Sequence, residues 1–127
     1  MLNPDVVGRT FPGANVFAVT QENISEFAAA IGEKNVTVAP PTFTIKISLT
    51  ESQEMLEQSG LNWDRVVHGE QKFKLIRPIV AGDSIVCDNT VEAARVAAGN
   101  EIVTVRSDLK SGSELVAQSW CTLVVRA

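Results

Sequence analysis

The chain has 127 residues, 45% of them hydrophobic and 20% charged, which suits one domain over residues 1–127 with a real core and argues against disorder. Its net charge is −4 and it has no basic run, so it offers no electrostatic footprint for nucleic acid. No apolar run reaches the roughly 18 residues of a membrane span, so no membrane contact and a soluble, cytoplasmic protein are expected.

The N-terminus lacks the basic flank and apolar segment of a signal peptide. Cys87 and Cys121 both sit in strand-like runs, and two such widely spaced cysteines suit a reducing compartment as buried free thiols. His68 is the only histidine and there is no Cys-x-x-Cys pair, so no metal site is expected, nor any cofactor.

In chain order, turn formers at Asn3-Pro4, Gly8 and Pro12-Gly13 precede a first strand at Val16–Val19. Thr20 can cap a helix in which Ile24, Phe27, Ala28 and Ile31 fall at i, i+3, i+4 and i+7, with Gly32 closing it in the left-handed conformation. The stretch from Val38 to Ser48 supports two readings. Phe43, Ile45, Ile47 and Leu49 alternate with Thr44, Lys46, Ser48 and Thr50 as in a half-buried strand, whereas Pro40-Pro41 offers a helix start. Thr50-Glu51-Ser52-Gln53 has the form of a capping box, which predicts a second short helix containing Met55 and Leu56 and ending before Gly60.

Trp63–Val67 leads into His68-Gly69-Glu70-Gln71, and Lys72–Ile76 alternates as a strand with Phe73 and Leu75 facing one way. Arg77–Asp83 reads as a turn or strand end, because Pro78 cannot donate to a central ladder. Three long strands follow, residues 84–97, 101–109 and 114–126, joined by hairpin turns at Gly99-Asn100 and Lys110–Ser113. An antiparallel sheet of this size needs a cover for its apolar face, and the two short amphipathic helices are too small for it. Residues 41 to about 50 are therefore read as a central helix, against their local alternation.

Ala39-Pro40-Pro41-Thr42-Phe43, His68-Gly69-Glu70-Gln71-Lys72-Phe73 and Arg77-Pro78-Ile79-Val80-Ala81-Gly82-Asp83, in this order and spacing, resemble the MaoC-like dehydratases. The resemblance is to their N-terminal-domain branch, which includes substrate-binding subunits of mycobacterial (3R)-hydroxyacyl-acyl-carrier-protein dehydratase. It runs from Val7-Gly8-Arg9 to the closing strand. It implies an α+β hot-dog fold, an antiparallel sheet wrapped around a central helix, and a dimer whose sheets join edge to edge with an acyl-thioester site at the interface. The ligand implied is an acyl-CoA or acyl-carrier-protein thioester. The partner implied is a second copy, or a catalytic MaoC-like subunit in a heterodimer.

Catalytic members carry an Asp and a His in a Gly-Asp-x-Asn-Pro-(Ile/Leu/Val)-His motif before the central helix. Here Ile31–Val38 holds neither. Losing a positioned base costs roughly 10² to 10⁴ in rate, so the standard hydratase site cannot be assigned to this chain. His68, the one side chain that ordinarily titrates near neutrality, is the remaining candidate for chemistry, with Glu70 as a partner if the strand already runs there. A histidine before a glycine at a strand entry also serves as an ordinary turn or pocket residue.

The candidate substrate-binding residues are Thr42 and Phe43, whose amides at a helix start suit a thioester oxyanion, together with His68, Gln71 and Arg77. Gln71 can orient a water or thioester. Arg77 and Lys74, with Arg95, Arg106 and Arg126 as competitors, can meet a pantetheine or coenzyme A phosphate. Asp83 is expected to close its turn. Three functions follow: a subunit forming an acyl tunnel with a catalytic partner, an independent hydratase or thioesterase using His68, and a homodimeric acyl-binding module without catalysis.

Overall fold

The computed structural model describes all 127 residues, Met1–Ala127. Helix α1 (Gln21–Ile31) forms as the sequence reads. The Thr20 hydroxyl accepts from the Asn23 amide, and the Asn23 side chain accepts from the Thr20 amide, so two otherwise orphaned donors are satisfied reciprocally. Gly32 closes the helix at φ +74°, a conformation glycine adopts without a Cβ clash. Ile24 and Ala28 are buried, and the Phe27 ring stands edge-on to Phe43 at 5.4 Å.

Helix α2 (Phe43–Gln58) resolves the ambiguous stretch in favour of helix. It also corrects one expectation: the two predicted helical pieces are a single helix. No proline or glycine interrupts residues 43–58, so the backbone ladder runs through Thr50. The Thr50 hydroxyl bonds back to the Lys46 carbonyl instead of capping a new start. At 1.5 Å per residue, α2 is roughly 24 Å long. The alternating apolar set separates into helical stripes, with Phe43 and Ile47 fully packed while Ile45 and Leu49 are half-buried.

Around α2 curls a six-stranded antiparallel sheet of β1 (Thr10–Phe11), β2 (Val16–Ala18), β3 (Val66–Leu75), β4 (Ser84–Ala97), β5 (Asn100–Ser111) and β6 (Glu114–Val125). The strand order is β1-β4-β5-β6-β3, with β2 also on β4, so β3 pairs only with β6 and leaves a free edge. The two-residue β1 was not anticipated, and β3 begins six residues earlier than the predicted strand at Lys72. The β4–β5 turn is Ala98-Gly99, at φ +51° and +79°, one residue before the position read from sequence. Both signs match a turn whose twist suits a hairpin.

Register shifts mark Gly69 in β3, Glu92 in β4 and Val116 in β6 as extra residues. Such bulges bend and twist strands, which lets the sheet close around the helix. This is a hot-dog fold. The enclosed core has two parts. Phe43 and Ile47 pack with Ile79, Ile85 and Leu109 around the first half of α2, and Met55 and Leu56 pack with Val91, Val103 and Leu123 around the second. Cys87 and Cys121 are buried free thiols in these two parts. No helix is long and apolar enough to cross a membrane.

Candidate functional site

The bulge at Gly69 decides which side chains of β3 meet. His68 stands opposite Leu123 and Gln71 opposite Cys121, both on the inner face. Glu70 pairs with Thr122 on the outer face, where it forms an ion pair with Lys72 at 3.0 Å. The His68–Glu70 pair therefore does not form, although the strand runs through both residues. His68 instead lies 3.7 Å from the Cys121 sulfur through Nε2. Burial pushes the Cys121 thiol up to about 11, so it is no thiolate nucleophile at neutral pH. The carboxamide of Gln71 is buried with no protein partner for either its nitrogen or its oxygen.

The start of α2 is tightly wound. The Phe43 amide donates to the Pro40 carbonyl at 2.9 Å and the Thr44 amide to Pro41 at 3.4 Å. Of the two amides proposed for an oxyanion, Phe43 is thus already engaged. Thr42, preceded by two prolines that have no N–H, keeps an amide without an intrachain acceptor on an exposed residue. The Phe43 side chain is fully buried and serves the core.

Arg77 is committed inside its own loop. It grips Asp83 through both terminal nitrogens at 2.9 and 2.8 Å, and its Nε reaches Glu114 at 3.1 Å. Asp83 also accepts from the Val80 amide at 2.9 Å, closing the turn as expected. The Arg77 guanidinium holds the Asp83 carboxyl below the usual carboxylate range, against the opposing effect of burial. Arg106 is likewise tied down, by Glu92 and Asp108.

A cleft with a mostly apolar wall lies elsewhere, between β2 and α2. This cleft of about 350 Å³ has Phe17, Ile47 and Cys87 on its apolar side, with Lys46, Thr50 and Glu51 along α2. That size and a mostly apolar lining with a few polar groups are typical of small-molecule sites. Lys46 lies one helical turn beyond Thr42 and enters no salt bridge. Glu51 accepts from the amides of Asn15 at 3.1 Å and Ala14 at 3.4 Å, tethering the β1–β2 connection across the helix. Sequence reasoning missed this cleft because its walls come from three distant segments. One signal was present: Lys46 is the only charge between Lys34 and Glu51.

Lys46, which enters no salt bridge and lies over the Phe43 ring at 5.8 Å, lines the cleft, whereas Thr42, His68, Gln71 and Arg77 are not among its lining residues. No cluster of metal-ligating side chains accompanies any of them.

A family model described as "FAS1-like, dehydratase domain region" matches residues 5–117. A UPF0336 protein of Streptomyces griseus is 38% identical over 99% of this chain and 96% of its own length. Among solved structures, the HadBC (3R-hydroxyacyl-ACP dehydratase) complex from Mycobacterium tuberculosis superposes with a TM-score of 0.87 at 22% identity, covering 97% of this chain and 99% of that one. A MaoC-like dehydratase superposes with a TM-score of 0.81 at 27% identity, over 96% of this chain and 42% of its own.

Proposed function

The chain belongs to the FAS1-like dehydratase-region family, and from that premise we propose that it is the acyl-thioester-binding subunit of a (3R)-hydroxyacyl-thioester dehydratase or enoyl hydratase. In this reading it holds the acyl chain in the α2–β2 cleft and a catalytic hot-dog partner supplies the acid and base. The observation that carries the reading is a kept scaffold with a missing base. The connection between α1 and α2 holds no Asp or His, and His68 has no carboxylate beside it.

Each group at the site has a task that its chemistry suits. The partner's base removes the proton at C2, and charge moves onto the thioester oxygen, where the Thr42 amide donates to it. The C3 hydroxyl takes a proton from the partner's acid and leaves as water, forming the C2=C3 double bond. Lys46 meets the phosphate of the pantetheine arm, which coenzyme A and acyl-carrier protein share. Gln71 and His68, on the inner face beside the free edge of β3, lie on the side where a second hot-dog sheet joins. The mycobacterial structure with the same fold is itself a complex, which supports a two-chain assembly over a lone enzyme.

The isolated chain is expected to bind a non-hydrolysable acyl-pantetheine saturably and to leave trans-2-enoyl thioesters unchanged on long incubation. Lys46→Ala is expected to weaken binding several-fold at low salt and less at high salt, because the contact is a screened surface charge. Robust turnover by the isolated chain, or no thioester binding, contradicts the reading.

A further inference from the structure

The connection between β1 and β2, residues 12–15, is strapped across the space between β4 and α2. At the β4 side the Gly13 amide donates to Asp88 Oδ1 at 2.9 Å, and a Cβ at position 13 would meet the Cys87 carbonyl oxygen at 2.6 Å. So close an approach of two backbones calls for glycine. At the α2 side the Glu51 carboxylate accepts the Asn15 amide on Oε1 at 3.1 Å and the Ala14 amide on Oε2 at 3.4 Å. Glu51 enters no salt bridge, so the strap alone holds its carboxylate in place.

This strap divides two hollows that follow one stripe of α2. On one side is the cleft of about 350 Å³, which takes Lys46, Ile47, Thr50 and Glu51 from the helix. On the other is a hollow of about 140 Å³, which takes Glu51, Glu54, Met55 and Gln58. Glu51 is the one residue that lines both. The boundary falls at the strap on every wall: between Cys87 and Asn89 on β4, between Ala14 and Asn15 on the connection, and at Glu51 on α2. A hydrocarbon chain passing this point would strip the carboxylate of both amides, and an ionised carboxylate against apolar surface without partners is costly.

We propose that Glu51 is the chain-length stop of the cleft. Its carboxylate, held by the strap, ends the path along α2, so the site takes acyl chains up to a fixed length and refuses longer ones. Resting on the acyl-thioester reading above, this names the substrate class of the same site. With the thioester oxygen at the Thr42 amide, Glu51 stands roughly 13 Å further along the helix axis, which sets the limit at a chain of medium length.

The test measures dissociation constants of non-hydrolysable acyl-pantetheines over a series of saturated chain lengths, with the full chain alone and with a catalytic partner. Binding to the unaltered chain is expected to tighten about fourfold per added methylene until the acyl chain reaches Glu51, and then to stop tightening. Glu51→Ala is expected to move that end point to chains several methylenes longer, whereas Glu51→Gln, of the same size and still able to accept an amide, keeps it. Because the readout is the length at which the rise ends, a general loss of affinity does not imitate it. Should Glu51→Ala fail to fold, a ligand of the end-point length carrying a terminal alkyl diazirine locates the chain end in the unaltered protein. Photolabelling at Glu51 or Cys87 is expected, and labelling at Met55 or Gln58 overturns the stop. An end point shared by the unaltered chain and Glu51→Ala, or none in the unaltered chain, also overturns it and leaves the thioester reading intact. Absence of binding by every ligand overturns both.

Discussion

Gly69 sets what the only histidine can do. Its extra place in β3 turns Glu70 outward to Lys72 and turns Gln71 inward beside His68. A Cβ at position 69 would come within 3.2 Å of the Thr122 carbonyl, so the bulge suits glycine. Because no carboxylate orients His68, His68→Ala is expected to change turnover of the assembled enzyme by less than about tenfold, well short of the 10² to 10⁴ that a general base supplies. A larger loss in kcat with unchanged substrate affinity would return His68 to the chemistry. Gln71 makes a separate prediction. Its buried, unpartnered carboxamide costs about 1–3 kcal/mol, so Gln71→Leu is expected to raise the urea midpoint of the isolated chain. A fall of similar size would mean that the amide is satisfied in solution.

At the scale of elements, the loop from Arg77 to Asp83 is the clearest electrostatic lock. Asp83 sits below its ordinary value of 3.8 in the folded chain, chiefly through the hydrogen bonds from Arg77. The unfolded chain therefore binds a proton more readily, and the stabilisation is present above that ordinary value and lost as pH falls through the lower folded value. Asp83→Asn is expected to cost about 2 kcal/mol at neutral pH, and the deficit should shrink in acid as the unaltered chain loses the same contribution. Urea midpoints of both proteins across the acid range check this; a pH-independent deficit contradicts it.

Legibility in the sequence divided along the range of the interactions. The α1 caps were legible because Thr20 and Gly32 each act within one turn, although the reciprocal bond from Asn23 was not foreseen. The central helix was legible only through the sheet's need for a cover, since the local pattern of Phe43, Ile45, Ile47 and Leu49 favours a strand. Its continuity through Thr50 was not, because a capping-box sequence has meaning only where the backbone ladder actually breaks. The bulges at Gly69, Glu92 and Val116 depend on cross-strand register, which no single strand encodes. For the same reason the inward turn of Gln71 and the cleft behind Lys46 emerged only when distant segments were brought together.

For the whole molecule, the account is a division of labour. A sheet curled around one helix gives this chain an apolar cleft lined by Lys46, which enters no salt bridge, and an unpaired Thr42 amide at the helix start. In the function proposed above, the acid and base come from another hot-dog chain. Reconstitution tests this most directly: hydration of a trans-2-enoyl thioester measured for the isolated chain, for a catalytic MaoC-like partner alone, and for the two co-expressed and purified together. A stable complex that turns over the thioester is expected, with activity abolished by removing the partner's Asp or His and changed less than about tenfold by His68→Ala. Full activity of the isolated chain, or failure of the two chains to associate with no gain in turnover, would contradict it.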